Sequence, residues 1–307
     1  MTVAAHGRGG WLRDSGIGTQ AGTLMIALFL APALLGLVAF RLVPIAIALV
    51  GSLFGETLTG DLVWRGLGNF ERLLGDPNVW HSVRVTLLFN LLINPLQVLI
   101  AFGLALLVLR PAPGIGLFRA AFFLPMTLSI GLTAMLWDIL LNQHVGPVNA
   151  LIAQLGFARQ GFFHDENQAL ATMIVIASWK GCGYWMIFLL AGLAAIPEEL
   201  HEAARIDGAS AWQRLRYVTL PLMRRPLAFV LVADTAANFV FFAPVFILTS
   251  GGPNGATDLL MFRAYETAFT FGDWGRSLAL STIILLIVAA IAAVELRLLR
   301  DDGTQAG

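Results

Sequence analysis

The chain has a single lysine, Lys180, and a single cysteine, Cys182, in 307 residues. One cysteine excludes an internal disulfide and leaves no set of thiolates for a metal. The lone lysine follows Ser178-Trp179 rather than a glycine-rich loop, which excludes the Gly-x4-Gly-Lys-Ser/Thr cradle for nucleotide phosphates. If ATP powers this protein, its hydrolysis happens on another polypeptide. Charge is also scarce. Only 12% of residues are Asp, Glu, Lys or Arg, the net charge is zero and there is no basic run, so nothing points to nucleic acid as a partner. The five histidines, at 6, 81, 144, 164 and 201, are scattered, and no His/Asp/Glu cluster has metal-ligand spacing. None reads as catalytic.

Apolar residues fill the space that charge leaves. At 58% hydrophobic residues and a mean hydropathy of +0.79, the composition is that of an integral membrane protein. Six stretches approach or exceed the ~20 residues that a helix needs to cross a bilayer: 22–40, 85–109, 120–140, 169–196, 227–249 and 277–294. The alternation of a membrane β-barrel is absent, so the expected fold is all-α with six transmembrane helices. The expected layout is an N-terminal tail over 1–21, a membrane domain over 22–300 and a C-terminal tail over 301–307. Arg41 is followed by a further apolar run, 42–54, and a tilted first helix with Arg41 reaching for the surface accounts for both. No typical cleavage site follows the first stretch, which is therefore expected to stay as a signal anchor.

An even number of spans places both termini on one side of a cytoplasmic membrane. That side holds Arg8, Arg13, Arg110, Arg119, Arg205, Arg214, Arg216, Arg224, Arg225, Arg297 and Arg300, eleven in all. The other holds Arg65, Arg72, Arg84, Arg159, Arg263 and Arg276, six in all. The positive-inside rule puts the termini, and the polar loop between the fourth and fifth spans, in the cytoplasm.

That loop, at about 197–225, is the most informative stretch of the chain. Pro197 suits a first helical position, and Glu198 and Glu199 complement the positive end of a helix dipole. Leu200, Ala203 and Ala204 fall at i, i+3 and i+4, a narrow apolar stripe that a partner can approach closely. Gly208 suits a left-handed stop, and Ser210 with Gln213 forms the capping box of a second helix running toward Pro221.

Glu202-Ala203-Ala204, Gly208, Val218 and Leu220-Pro221 stand at the spacing of the EAA loop of permease subunits of binding-protein-dependent ABC importers, which this chain resembles. Ile206-Asp207-Gly208-Ala209 resembles the carbohydrate-uptake branch, of maltose and glycerol-phosphate type, and the similarity runs from about Gly68-Asn69-Phe70 to Ser281. The resemblance implies a type I importer permease fold in which this loop is a cytoplasmic coupling helix. Glu202, Ala203, Ala204, Asp207, Gly208, Leu220 and Pro221 would meet a separate ATPase. It implies a second, similar permease, two ATPase subunits that hold ATP and Mg, an external substrate-binding protein, and no cofactor on this chain. Three outer loops are similar to segments of the family: one with Gly68-Asn69-Phe70 and Trp80, one with Gly146-Pro147-Val148-Asn149, and one with Thr249-Ser250-Gly251-Gly252-Pro253-Asn254. Where many carbohydrate permeases have an aromatic followed by Asp, this chain has Phe242-Ala243-Pro244, and the carry-over of substrate contacts is open there.

Ionisable groups inside spans usually face a bundle interior or a cavity. The candidates are Asp138, Lys180 and Asp234, with Asn90, Asn94, Gln97 and Asn238 beside them. Asp234 and Asn238 share a helix face that Phe241 continues, and Trp179, Lys180 and Tyr184 cluster on the fourth span. Aromatic faces with a few directional hydrogen bonds suit a sugar. Helix packing is the alternative use of the same residues, with Asp234 and Lys180 paired to each other. The scarcity of cations favours a neutral sugar, oligosaccharide or polyol. A glycerol-phosphate-type substrate is the nearest competitor. A secondary transporter with a proton on Asp234 or Asp138, and a scaffold that only recruits a partner, are the rival classes.

Overall fold

The structure, a computed structural model, describes residues 20–57 and 59–300; Arg8, Arg13 and the stretch 301–307 lie outside the described residues. The chain divides into two units, which meet in sequence at Val50 and Gly51.

The first unit is one helical run: α1 (Gln20–Leu37), a π turn (Val38–Leu42) and α2 (Val43–Gly51). The helix passes through Arg41 without a break, so the apolar stretch ending at Phe40 and the run after Arg41 belong to one helical stretch. The stretch that qualifies as a span, Met25–Gly51, has 27 residues. At ~1.5 Å per residue it exceeds a hydrocarbon core of ~30 Å, as a tilted helix does. None of its described side chains is buried within the chain.

The second unit opens with a feature absent from the all-α expectation, an antiparallel hairpin of β1 (Phe54–Glu56) and β2 (Leu62–Trp64) with Phe54 opposite Trp64. Next comes α3 (Gly68–Leu74), whose buried Asn69 donates to the carbonyls of Ser52 and Phe54 at 2.8 and 2.6 Å. α4 (Pro77–Leu109) starts with Asp76 accepting from the Asn78 amide and Pro77 in the first turn. Along one face of α4 the buried residues are Ser82, Thr86, Asn90, Asn94 and Gln97, then Ala101, Ala105 and Val108. Leu87, Leu91, Leu99 and Leu107 are exposed. Polar groups turned inward and leucines outward are the pattern that lipid imposes.

The third stretch is not one straight span. It consists of α5 (Ile115–Thr127) and α6 (Ile130–Leu141), which meet at 97°. Leu128 and Ser129 between them have ψ near 140°, and Pro125 in the last turn of α5 has no amide hydrogen to give to that helix. Both halves are apolar, so hydropathy shows no corner. α7 (Pro147–Gln154) follows, then α8 (Ala169–Ala194), which packs along α4 for much of its length. The polar loop contributes α9 (Glu198–Ile206), α10 (Ala211–Arg214), a π turn (Leu215–Thr219) and α11 (Leu220–Leu222).

The fifth stretch is also interrupted: α12 (Arg224–Phe239) ends, three residues leave the helix, and α13 (Ala243–Leu248) begins with Pro244 in its first turn. α14 (Leu260–Phe269) and α15 (Trp274–Arg300) complete the chain. Among the described residues, five helical stretches can each cross a membrane, and six when α5 and α6 are counted as one span. Arg276 pairs with Asp76 at 2.9 Å, and Ser82 donates to Asp258 at 2.8 Å, gathering the loops around 76–82 and 255–276 at one end of the bundle. The α9–α11 loop is at the other end, beside the last turns of α4 and α8.

Candidate functional site

The loop is built from local hydrogen bonds. Pro197 is the N-cap of α9, one residue earlier than expected, because its ψ of 131° puts it outside the helix. At the other end the Gly208 amide donates to the Arg205 carbonyl at 3.1 Å and the Ala209 amide to that of Ala204 at 2.9 Å, a Schellman closure. Gly208 has φ +76°, where a side chain is strained. The capping box is present: Ser210 Oγ accepts from the Gln213 amide at 3.3 Å, and Gln213 Oε1 accepts from the Ser210 amide at 2.7 Å. Arg214 Nη1 donates to the Ala209 carbonyl at 2.7 Å and ties the second helix to the turn. An open cavity of about 1010 Å³ separates these helices from the ends of α4 and α8, with Leu109, Arg110, His201 and Leu215 in its lining.

No residue of α9 is buried. Arg205 reaches Glu198 Oε1 at 2.9 Å and Glu202 Oε1 at 3.7 Å, an exposed pair set of small stabilising value. The expected stripe is divided: Leu200 and Ala203 are exposed, whereas Ala204 is half-buried over a recess lined by Tyr217 and Val218. The outward face gains a residue that the sequence reading did not choose. Ile206, one turn beyond Ala203, is 87% exposed, higher than any other large apolar side chain among the described residues. Its signal in the sequence is an isoleucine just before the helix stop. Asp207 and Pro221 are exposed and Leu220 is half-buried.

The residues expected to line a path through the membrane separate into two groups. Asp234, Asn238 and Asn94 come together. Asn238 Nδ2 donates to Asn94 Oδ1 at 2.8 Å and to Gln97 Oε1 at 3.2 Å, and Asn94 Nδ2 donates to Thr235 Oγ1 at 2.9 Å. Gln97 Nε2 donates to the Ala177 carbonyl at 2.9 Å, so the network joins α4, α8 and α12. Asp234 is 2% exposed; its Oδ1 accepts from Trp185 Nε1 at 2.7 Å, and its Oδ2 has no protein partner. Thr235 Oγ1 donates to Glu295 Oε1 at 3.0 Å, which brings α15 into the network. Trp185, Thr235 and Glu295 escaped the sequence reading. Trp185 reads as apolar bulk, and Glu295 lies one residue beyond the expected end of the last span.

The side chains of Trp179, Lys180, Tyr184 and Phe241 take no part in these hydrogen bonds. Trp179 packs edge-on to Trp137 at 5.5 Å, Tyr184 against Trp185 and Phe188 at 4.8 and 5.0 Å, and Phe241 against Phe89 at 5.2 Å. Lys180 does not pair with Asp234. Its Nζ donates to the carbonyls of Pro125 at 3.0 Å and Leu128 at 2.6 Å, at the corner between α5 and α6. Asp138 is exposed on α6. The outer motifs hold loops together: Asn149 donates to the carbonyls of Asn142 and Gln160 at 3.3 and 3.0 Å, and Asn254 to Glu166 at 2.6 Å.

Residues 97–300 match the family model described as the binding-protein-dependent transport system inner membrane component. The chain belongs to this family. The matched region encloses Gln97, Trp185, Asp234 and Glu295 together with the whole α9–α11 loop, while Asn94 of the buried network lies just before it. The sn-glycerol-3-phosphate transport system permease protein UgpA of Brucella abortus is 35% identical over 274 residues, 87% of this chain and 92% of the relative. The maltose/maltodextrin transport system permease protein MalF of Vibrio vulnificus is 34% identical over 264 residues, 80% of this permease and 50% of MalF. A chain from the crystal structure of a bacterial ABC transporter that imports the acidic polysaccharide alginate shares the fold, with a TM-score of 0.81, 21% identity, and coverage of 92% of this chain and 97% of that one.

Proposed function

We propose that this permease is the membrane-spanning subunit of an ATP-driven importer of a neutral sugar, oligosaccharide or polyol. Two ATPase subunits that hold ATP and Mg, and a second permease, complete the complex, and an external binding protein delivers the substrate. The observation that carries the coupling half of this reading is α9, none of whose residues is buried, joined to α8 by three residues and presenting Glu202, Ala203 and Ile206 outward. A surface of that kind, at the end of the bundle opposite the outer loops, suits an ATPase groove. The arginine count supports a cytoplasmic side for this loop and both termini.

The buried network supports the substrate half. It offers amides, a hydroxyl and two carboxylates, Asp234 and Glu295, each with one unpartnered buried oxygen, and contains no Arg or Lys among the described residues. Acceptors without cations suit the hydroxyls of a neutral carbohydrate and oppose an anion. The relatives named for glycerol 3-phosphate keep that substrate as the second reading. It requires the phosphate to be held outside this network, for instance by the partner permease.

Purification of the tagged chain from its native membranes in mild detergent tests the proposal. Recovery of a P-loop ATPase and a second permease supports it. A chain that emerges alone, under conditions where other complexes survive, overturns it and revives proton-coupled transport through Asp234.

A further inference from the structure

The corner between α5 and α6 poses a problem of solvation. A helix end leaves its last carbonyls without amide partners, and inside a membrane no bulk water can serve them. Here the Leu124 carbonyl accepts from Thr127 Oγ1 at 2.7 Å, and Lys180 from the neighbouring helix serves those of Pro125 and Leu128. The ammonium also lies at the negative end of the α5 dipole, where a cation is favoured. Among the described residues Lys180 has no carboxylate partner, so its charge is committed to this corner.

A second contact fixes the same two helices. At Gly183, three residues after Lys180, a Cβ would collide with the Phe122 carbonyl, so the backbones of α8 and α5 touch there. Phe122, Pro125 and Leu128 are three residues apart, and α8 meets each of them through Gly183 or Lys180. The other end of α8 runs into α9 through Ala195, Ile196 and Pro197. That link is itself hydrogen-bonded, Ala195 to Ala191 at 3.2 Å and Ile196 to Leu193 at 3.2 Å, and leaves little slack. From Ala194 back to Lys180 is fourteen residues of unbroken helix, roughly 21 Å.

We infer that Lys180 is a positioning residue for transport: it pins the α5–α6 corner to α8, so that displacement of the α9 helix by its ATPase changes the angle of the third span. Proline and two extended residues make the corner hinge-like, and Lys180 is the tie that makes it follow α8. The inference rests on the proposed coupling role of α9 and assigns Lys180 no contact with substrate.

The test uses the co-purified complex with Cys182→Ala and spin labels at Leu124→Cys and Leu132→Cys, two exposed sites on either arm of the corner. Distances are measured without nucleotide and after trapping with ATP and vanadate. The expected result is a shift of about 5 Å, the scale of a one-turn displacement, with lysine or with Lys180→Arg, and loss of that shift with broadening in Lys180→Met. Methionine keeps the unbranched stem up to the ε position and loses the donors. An identical shift in Lys180→Met overturns the inference, as does a corner that does not move in the parent complex. If no ATPase co-purifies, the proposed function is what fails, and the pin is then read in the isolated chain: an equal distance distribution for Lys180 and Lys180→Met overturns it, and a broadened one supports it.

Discussion

Trp185 donates its indole N–H to Asp234 Oδ1 at 2.7 Å, from α8 to α12, and leaves Oδ2 of the same carboxylate buried without a partner. One oxygen is thus fixed by the fold and the other is available to a hydroxyl. Trp185→Phe keeps an aromatic but smaller side chain and removes the donor, so Asp234 loses its only side-chain N–H from α8. We expect a loss of about 1–3 kcal/mol of stability, seen as a lower thermal midpoint in detergent. Adding Asp234→Asn should make the double variant more stable than the sum of the two single effects. Simple additivity would mean that the bond contributes nothing.

The outward face of α9 gives a prediction that separates docking from folding. Glu202→Arg, Ala203→Trp and Ile206→Asp alter exposed side chains and should leave the amount of chain in the membrane unchanged. Retention of the co-purifying ATPase should fall at least about tenfold, equivalent to ~1.4 kcal/mol. Normal retention in all three would dismiss α9 as the contact.

Gly208 discriminates by conformation rather than size. A Cβ at this position would have no neighbour within 4 Å, but φ is +76°. Gly208→Asn, which tolerates the left-handed region, should keep the ATPase bound. Gly208→Val should cost ~1–3 kcal/mol locally and misdirect α10, with loss of the ATPase from the pull-down.

At the opposite end of the bundle, Arg263 forms an ion pair with Asp258, which is 2% exposed and also accepts from Ser82. Arg263→Met strands that carboxylate, a change worth about 3–5 kcal/mol, and should sharply lower the thermal midpoint. Asp258→Asn in the same chain should recover most of the loss. A variant Arg263→Met as stable as the parent would show that the pair is dispensable.

What the sequence determined by itself is what depends on composition or on neighbours a few residues apart. Hydropathy alone makes this a helical membrane protein. The Gly208 stop and the Ser210–Gln213 capping box are legible because each hydrogen bond closes within about five residues, and the local chain dictates its geometry. Hydropathy is blind to direction, so the 97° corner after Thr127 and the break after Phe239 appear only in the structure. Pairings of distant residues were decided by tertiary packing. Lys180 is 52 and 55 residues from its carbonyl partners, Trp185 is 49 from Asp234, and Thr235 is 60 from Glu295. A side chain in lipid must find a polar partner wherever the fold brings one within reach, and the order of residues along the chain does not say which one that will be.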